Sequence, residues 1–115
     1  MPYAKAINLF HFLIFFLVSP TIDDSAVDDV SKVVIGHSTS LQCAATGIPI
    51  PDIEWYKDGR LLVYSSRIQT ENNGQQLNII NATVEDTGNY TCTATNTAGT
   101  SSHDMTVLVL GKMYK

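Results

Sequence analysis

The feature that most constrains this chain is the pattern of short alternating segments after residue 25. Apolar and polar side chains alternate with period two in runs such as 38–45, 75–80 and 88–95. Turn residues interrupt these runs about every 8–12 positions, and no convincing apolar stripe of helical period accompanies them. The pattern therefore predicts an all-β chain whose antiparallel strands form a sandwich or a barrel.

One face of these runs collects the apolar side chains into a single predicted core. The inward set comprises Leu41, Cys43, Ile53, Trp55, Ile68, Leu77, Ile79, Val84, Tyr90, Cys92, Met105, Val107 and Val109. Because these residues come from strands along the whole chain after residue 40, they fit one core shared between two sheets. A tight hairpin turn is predicted at Asp58-Gly59, since this pair supplies left-handed backbone positions.

The first 21 residues have a different character. Lys5 precedes an apolar run from Phe12 to Val18, and a polar, acidic segment follows. This order predicts a secretory signal peptide over residues 1–21, with small residues ahead of a cut at Ile22. The apolar stretch is shorter than the roughly 20 residues that a spanning helix needs, and an uncleaved membrane anchor is the alternative. The chain then divides into a leader (1–21), an acidic N-terminal arm with the first strand (22–31), the folded domain (32–110) and a tail (111–115).

Composition and motif content exclude several classes of function. The chain of 115 residues has room for one domain, and its 7 Lys+Arg against 11 Asp+Glu give a net charge of −4. An acidic chain without a basic cluster is not expected to bind nucleic acid. No metal, cofactor or small-molecule substrate is expected, because two cysteines cannot form a paired zinc motif and no phosphate or dinucleotide loop is present. His37 and His103 are expected to be solvated, and without a catalytic serine motif the chain is not expected to be an enzyme.

The two cysteines, Cys43 and Cys92, are expected to pair if the leader exports the chain. An oxidising compartment makes a disulfide the default state of such a pair. The cysteines lie 49 residues apart, and closing a loop of that length stabilises a fold by about 4 kcal/mol.

Several motifs together resemble the immunoglobulin fold, and more narrowly its intermediate set (I-set), over about residues 25–110. The motifs are Cys43, Trp55 and Cys92 at their spacing, Trp55-Tyr56-Lys57-Asp58-Gly59, Asp86-Thr87-Gly88-Asn89-Tyr90-Thr91-Cys92, and Ala94-Thr95-Asn96-Thr97-Ala98-Gly99. The stretches 47–51 and 102–105 are also similar to modules of hemicentin-type matrix proteins and of cell-adhesion proteins.

The resemblance implies a two-sheet antiparallel sandwich with specific core residues. Cys43 and Cys92 would join the two sheets, and Trp55 would pack on that disulfide beside Leu77. The resemblance also implies a set of contacts at the bend before the second cysteine. There, Tyr90 would turn its hydroxyl back to the backbone, Gly88 would ease the bend, and Asp86 would pair with Arg67.

The function that the resemblance implies is non-catalytic recognition of another protein outside the cell, in cell adhesion or matrix assembly. Two alternatives stay open: a structural spacer within a longer multi-domain protein, and a free secreted ligand or antagonist. Tyr56 and Tyr64, expected outside the core, form the candidate binding surface. Contact between two copies of the chain is a further alternative. Asn81 and Asn89 begin two N-glycosylation sequons.

Overall fold

The computed structural model describes residues 16–25 and 29–111, which form a sandwich of two β-layers. Most of the predicted leader, the centre of the acidic arm and the end of the tail lie outside the described residues. The first layer contains β1 (Val18–Asp23), β3 (Thr39–Gln42), β4 (Ala44–Ile48), β7 (Ile68–Glu71) and β8 (Gln76–Ile79). The second layer contains β2 (Val30–Val34), β5 (Asp52–Lys57), β6 (Arg60–Leu61), β9 (Gly88–Asn96) and β10 (Gly99–Leu110).

The strand pairings confirm the all-β sandwich. In the second layer the order is β2-β10-β9-β5-β6, and all pairings are antiparallel except that of β2 with β10. In the first layer β3 and β4 follow one another on either side of Cys43, so that β3 pairs with β8 and β4 pairs with β1. The parallel pair of β2 and β10 is one feature that alternation of side chains did not predict.

The inward set is buried with two exceptions. Trp55, Leu77, Ile79, Tyr90 and Val107 are completely inaccessible, and Ile53 is only partly buried against the core. The prediction for Val84 is wrong, because this residue opens a short 3₁₀ helix (Val84–Asp86) and its side chain is 58% exposed. Ala82, two residues earlier, is buried in the core instead.

The first strand lies further upstream than the predicted 22–31 segment. β1 begins at Val18, so Val18–Thr21 belong both to the predicted leader and to this strand. The hairpin between β9 and β10 holds β1 in place. Asn96 Nδ2 donates to the Val18 carbonyl at 2.8 Å, and Ser101 Oγ donates to the Pro20 carbonyl at 2.5 Å. The predicted acidic arm contributes the end of β1 and the start of β2.

Two turns have left-handed backbone conformations where the sequence predicts turns. Asp58 and Gly59 have φ values of 51° and 80°, which confirms the tight hairpin between β5 and β6. Asn72, Asn73 and Gly74 are left-handed in succession and reverse the chain between β7 and β8. This second turn lies at the end of the sandwich where β5 begins, because Gly74 approaches Ile53.

Candidate functional site

The centre of the sandwich is a disulfide with the tryptophan beside it. Cys43, between β3 and β4, is bonded to Cys92 in β9, so the disulfide joins the two layers. Trp55 lies opposite Cys92 in the pairing of β5 with β9 and is fully buried. Its indole Nε1 donates a hydrogen bond to the Gly74 carbonyl at 2.7 Å, and the buried polar atom of the ring is therefore satisfied.

A hydrogen-bonded network closes the end of the sandwich next to the 3₁₀ helix. The two terminal nitrogens of Arg67 donate to the Asp86 carboxylate at 3.0 and 3.3 Å. Arg67 Nη1 also donates to the carbonyls of Ile80 and Asn81. The hydroxyl of buried Tyr90 donates to the Asp86 carbonyl at 2.6 Å. The side chain of Asp86 thus joins the β6–β7 connection to the short helix, and its backbone carbonyl joins β9 to the same helix.

Opposing effects set the pKa of the Asp86 carboxyl. Burial of this group acts to raise its pKa, but the hydrogen bonds from Arg67 and from the Thr83 backbone, together with the Arg67 charge, outweigh burial. The pKa of Asp86 is therefore held below its ordinary value. Burial, followed by the charge of Asp86, raises the pKa of Tyr90, so its hydroxyl stays a donor.

Gly88 has a different role from the one that the resemblance implies. Its φ is not among the positive values, so the position needs no glycine for its backbone conformation. Instead, a Cβ at Gly88 would lie 2.9 Å from Asp58 Oδ2. Asp58 uses its other carboxylate oxygen to accept a hydrogen bond from the Asn89 amide at 2.9 Å. The absence of a side chain at residue 88 therefore makes room for the carboxylate that joins β9 to the β5–β6 hairpin.

Both sequon asparagines are exposed. Asn81 has a left-handed backbone in the connection that follows β8, and its backbone amide donates a hydrogen bond to Ser38 Oγ at 3.3 Å. Asn89 lies near the start of β9, beside Asp58. Both asparagines lie away from the end of the sandwich at which β5 begins.

The two tyrosines of the candidate binding surface both approach Glu54. Tyr56 is partly buried on β5, and its hydroxyl donates to Glu54 Oε1 at 3.4 Å. Tyr64 follows β6 and is 48% exposed. Partial burial and, secondly, the charge of Glu54 raise the pKa of the Tyr64 phenol. The structure therefore brings the two tyrosines to one carboxylate that the sequence did not single out.

Two aliphatic side chains extend this surface along the edge of the second layer. Leu61 is 60% exposed and lies opposite Tyr56, and Val63 is 81% exposed. Leu62 between them points inward and is buried. We call Leu61, Val63 and Tyr64 the edge patch. The alternation of Leu61, Leu62 and Val63 is a signal in the sequence that could have identified these exposed side chains.

The part of this layer's outer face formed by β9 and the first half of β10 is polar and internally paired. Hydroxyl side chains on β9 face partners on β10: Thr91 donates to Asp104 at 2.6 Å, and Thr93 and Thr95 contact Ser102 and Thr100 at 3.2 Å. Cross-strand pairs of this kind stabilise a sheet. Because these hydroxyls already have partners, this face offers fewer free groups than the edge patch does.

His103 is not solvated, and that prediction is wrong. Its side chain is 16% exposed and lies between two carboxylates, with Nδ1 3.8 Å from Asp24 and Nε2 3.6 Å from Asp29. The two aspartates belong to the acidic N-terminal arm. His37 is exposed, and the part of the chain that the structure describes contains no cluster of three His, Cys, Asp or Glu that could hold a metal ion.

The geometry described so far, two β-layers joined by a disulfide with a buried tryptophan beside it, defines an immunoglobulin-like module. The family model of the immunoglobulin I-set domain matches residues 22–109. The chain belongs to the immunoglobulin I-set family.

Similar proteins include matrix and adhesion proteins. The chain is 39% identical to human Hemicentin-1 over 99 residues, which cover 86% of this chain and 2% of that protein. It is 39% identical to the human neural cell adhesion molecule L1-like protein over 93 residues, which cover 81% of this chain and 8% of that protein. The chain thus spans only a small part of these relatives.

A solved structure shows the same fold. The crystal structure of the titin M10–obscurin-like 1 Ig complex contains a chain that matches with a TM-score of 0.75 and 29% identity. The match covers 84% of this chain and 99% of that one. Modules of this family are generally binding modules without enzymatic activity. No helix within residues 16–25 and 29–111 is long and apolar enough to cross a membrane.

Proposed function

We propose that the chain is a non-catalytic recognition module that binds another protein outside the cell, in adhesion or matrix assembly. The observation that carries this proposal is the edge patch, in which Leu61 on the edge strand β6 and Val63 and Tyr64 just after this strand are all exposed. Exposed apolar side chains on an edge are costly unless a partner covers them, and tyrosine adds contact area at low entropic cost. Homology to hemicentin and to an adhesion molecule supports the same function.

Three features support an extracellular location. The apolar N-terminal run has the order of a secretory leader. The disulfide fits an oxidising compartment. Both sequon asparagines are accessible to the glycosylation machinery. The small residues Ser19 and Thr21 favour a cut before Ile22, which would remove the Val18–Thr21 part of β1 from the secreted domain.

The test is capture of partners from extracellular matrix extract by the tagged domain. A Leu61→Ser/Val63→Ser variant removes the two aliphatic groups of the edge patch, and a Val84→Ser variant removes an equally exposed side chain next to the 3₁₀ helix. We expect the first variant to lose the partners that the parent and the Val84→Ser control retain. Equal capture by all three proteins, each shown to melt cooperatively, would contradict the assignment of the edge patch.

A specific observation also favours the spacer alternative. A Cβ at Gly99, where β10 begins, would contact Ser19 near the start of β1. At the other end of β10, the Leu110 carbonyl accepts a hydrogen bond from the Ile35 amide. β1 therefore begins at the end of the sandwich opposite to the one where β10 ends. This arrangement allows modules to be joined end to end. If a longer coding sequence contains this domain, solution scattering of its product should show an extended array when the spacer function holds.

A further inference from the structure

A groove lies on the open side of the sandwich between β5 and β7. Its lining consists of Ile50, Pro51, Asp52, Ile53, Tyr64, Thr70, Asn73 and Gly74, which enclose about 620 Å³. Ile50 is 73% exposed at the mouth of the groove, and Tyr64 of the edge patch forms another part of the wall. The groove therefore continues the edge patch toward the end of the sandwich where β5 begins.

The β5 wall of the groove presents a backbone position that β6 leaves open. The Leu62 amide donates to the Trp55 carbonyl at 3.0 Å, but β6 does not extend as far as Ile53. Because backbone groups alternate between the two sides of an antiparallel strand, the amide and carbonyl of Ile53 point toward the same side as those of Trp55. Gly74 lies against this position, where a Cβ would be 3.1 Å from the Ile53 side chain.

The β7 wall has a second open backbone position. The amide and the carbonyl of Ile68 are both bonded to Ser65, on the side of β7 that faces away from β8. By the same alternation, the amide and carbonyl of Thr70 point to that side as well, into the groove. The groove is thus bordered by free edges from both layers, which is the arrangement that an extended peptide pairs with.

The charge at the rim of the groove is negative. Asp52 lines the groove, and Glu54 lies two positions further along β5, on the same face of the strand and beyond the lining. Both residues are exposed, and the rise of a strand places their Cα atoms about 7 Å apart. Within the part of the chain that the structure describes, neither carboxylate forms an ion pair with a lysine or an arginine. The lining contains no basic residue. An incoming cationic side chain would therefore meet carboxylates that have no competing cation.

We propose that this groove binds an extended segment of a partner protein that carries lysine or arginine at alternate positions. This inference rests on the proposed recognition function and specifies the chemistry of the partner. The peptide backbone pairs with Ile53 and Thr70, its apolar side chains contact Ile50 and Tyr64, and its cations face the two carboxylates. A second copy of the chain fits the groove less well, because a two-fold contact would bring the same carboxylates together.

The sequons leave this groove accessible. Asp52 lies opposite Thr95 on β9, whereas Asn89 lies at the other end of the same strand. At the rise of an antiparallel strand, the two positions are about 20 Å apart. A glycan on Asn89 would therefore lie near the β5–β6 hairpin and away from the groove.

The test is an NMR titration of the isotopically labelled domain with short acetylated peptides. One peptide alternates valine with lysine, a second alternates valine with glutamate, and a third alternates valine with serine. We expect the lysine peptide to shift the amide resonances of Ile53, Thr70 and Gly74, and we expect the glutamate peptide to leave them unchanged. Added salt should weaken binding, since exposed charge pairs are screened.

Two variants separate the charge from the backbone contribution. Asp52→Asn/Glu54→Gln should weaken binding of the lysine peptide by roughly fivefold and remove its advantage over the serine peptide. Thr70→Pro removes the amide donor of Thr70 and should weaken all peptides equally, with Thr70→Ser as the matched control. Proline is tolerated at the outward-facing positions of an edge strand. If Thr70→Pro is unstable, the titration of the parent protein answers the same question. A shift of the Thr70 amide resonance on addition of the lysine peptide would show that this amide takes part in binding.

Two results would overturn the proposal. One is equal binding of the lysine and glutamate peptides, and the other is a set of shifts confined to residues outside the groove. Loss of captured partners in Leu61→Ser/Val63→Ser, together with unchanged capture by Asp52→Asn/Glu54→Gln, would refute the groove while leaving the recognition function intact.

Discussion

Tyr64 and Arg67 lie three residues apart in the connection between β6 and β7, but their environments differ. Arg67 donates four hydrogen bonds to the Asp86 carboxylate and to two backbone carbonyls. Tyr64 is half exposed and borders an open groove. The difference shows that one connection serves two purposes: one end completes the fold, and the other end leaves side chains available for a partner.

The largest effect is expected at the core that both regions depend on. Trp55→Ala, Cys43→Ala or Cys92→Ala should each lower the free energy of unfolding by at least about 3 kcal/mol, because each leaves a cavity or removes the cross-link. Unfolding of the cysteine variants in urea can be monitored by tryptophan fluorescence. Unfolding of Trp55→Ala, which lacks the one tryptophan of the chain, can be monitored by circular dichroism. Unchanged unfolding midpoints would show that the disulfide and the tryptophan do not form the core.

Truncation of the N-terminal strand is expected to have the next largest effect. A domain that starts at Ile22 lacks the Val18–Thr21 part of β1 and its hydrogen bonds to Asn96, Ala98 and Ser101. At about 1 kcal/mol for each of these bonds, it should be roughly 2–3 kcal/mol less stable than a domain that starts at Val18. Mass spectrometry of the secreted protein gives its N-terminus, and an N-terminus at or before Val18 would contradict the predicted cut at Ile22.

Asp86→Asn tests the end of the β6–β7 connection at which Arg67 is hydrogen-bonded. Loss of the charge should cost about 1–2 kcal/mol near neutral pH, because the Arg67 guanidinium is left without its anion. The pKa of Asp86 is lowered in the folded state, so the stabilisation is complete above about pH 4 and is lost as the pH falls further. Urea denaturation over a pH series should therefore show the parent and the variant converging in acid. A difference in the free energy of unfolding that stays constant down to low pH would mean that the charge pair of Arg67 and Asp86 contributes little to stability.

The smallest effect on stability is expected at Tyr64, where the β6–β7 connection borders the groove. Tyr64→Ser should change the free energy of unfolding by less than about 0.5 kcal/mol, since its side chain is half exposed and lies outside the core. The same variant should reduce binding of the lysine peptide. A large loss of stability would instead indicate that Tyr64 closes the side of the sandwich and is not available to a partner.

Prediction from sequence succeeded where the local chemistry of a residue decides its position. Alternation placed Leu77, Tyr90 and Met105 inward, since side chains of a strand point alternately to its two faces. Asp58-Gly59 predicted a tight turn because this pair tolerates left-handed backbone. It failed where alternation stops, as at Val84, whose 3₁₀ helix has a different side-chain period.

The candidate site was only partly predictable. Tyr56 and Tyr64 are predicted from sequence as exposed aromatic residues, but the hydrogen bond of Tyr56 to Glu54 and the groove beside Tyr64 depend on how β5, β7 and the turn at Gly74 pack. Gly88 and His103 illustrate the same limit. Gly88 makes room for a carboxylate 30 residues earlier in the chain, at Asp58, and His103 lies between Asp24 and Asp29 of the acidic arm.

The sequence alone determined the all-β class, the inward face of most strands, the turns and the family resemblance, because each follows from short-range periodicity or from motif spacing. Only the tertiary structure decided where the first strand begins, why residue 88 is a glycine and which edges remain open. Those features arise from pairings between segments up to about 80 residues apart, such as Pro20 with Ser101. Contacts of that range depend on how whole strands pack, and no local pattern of residues records them.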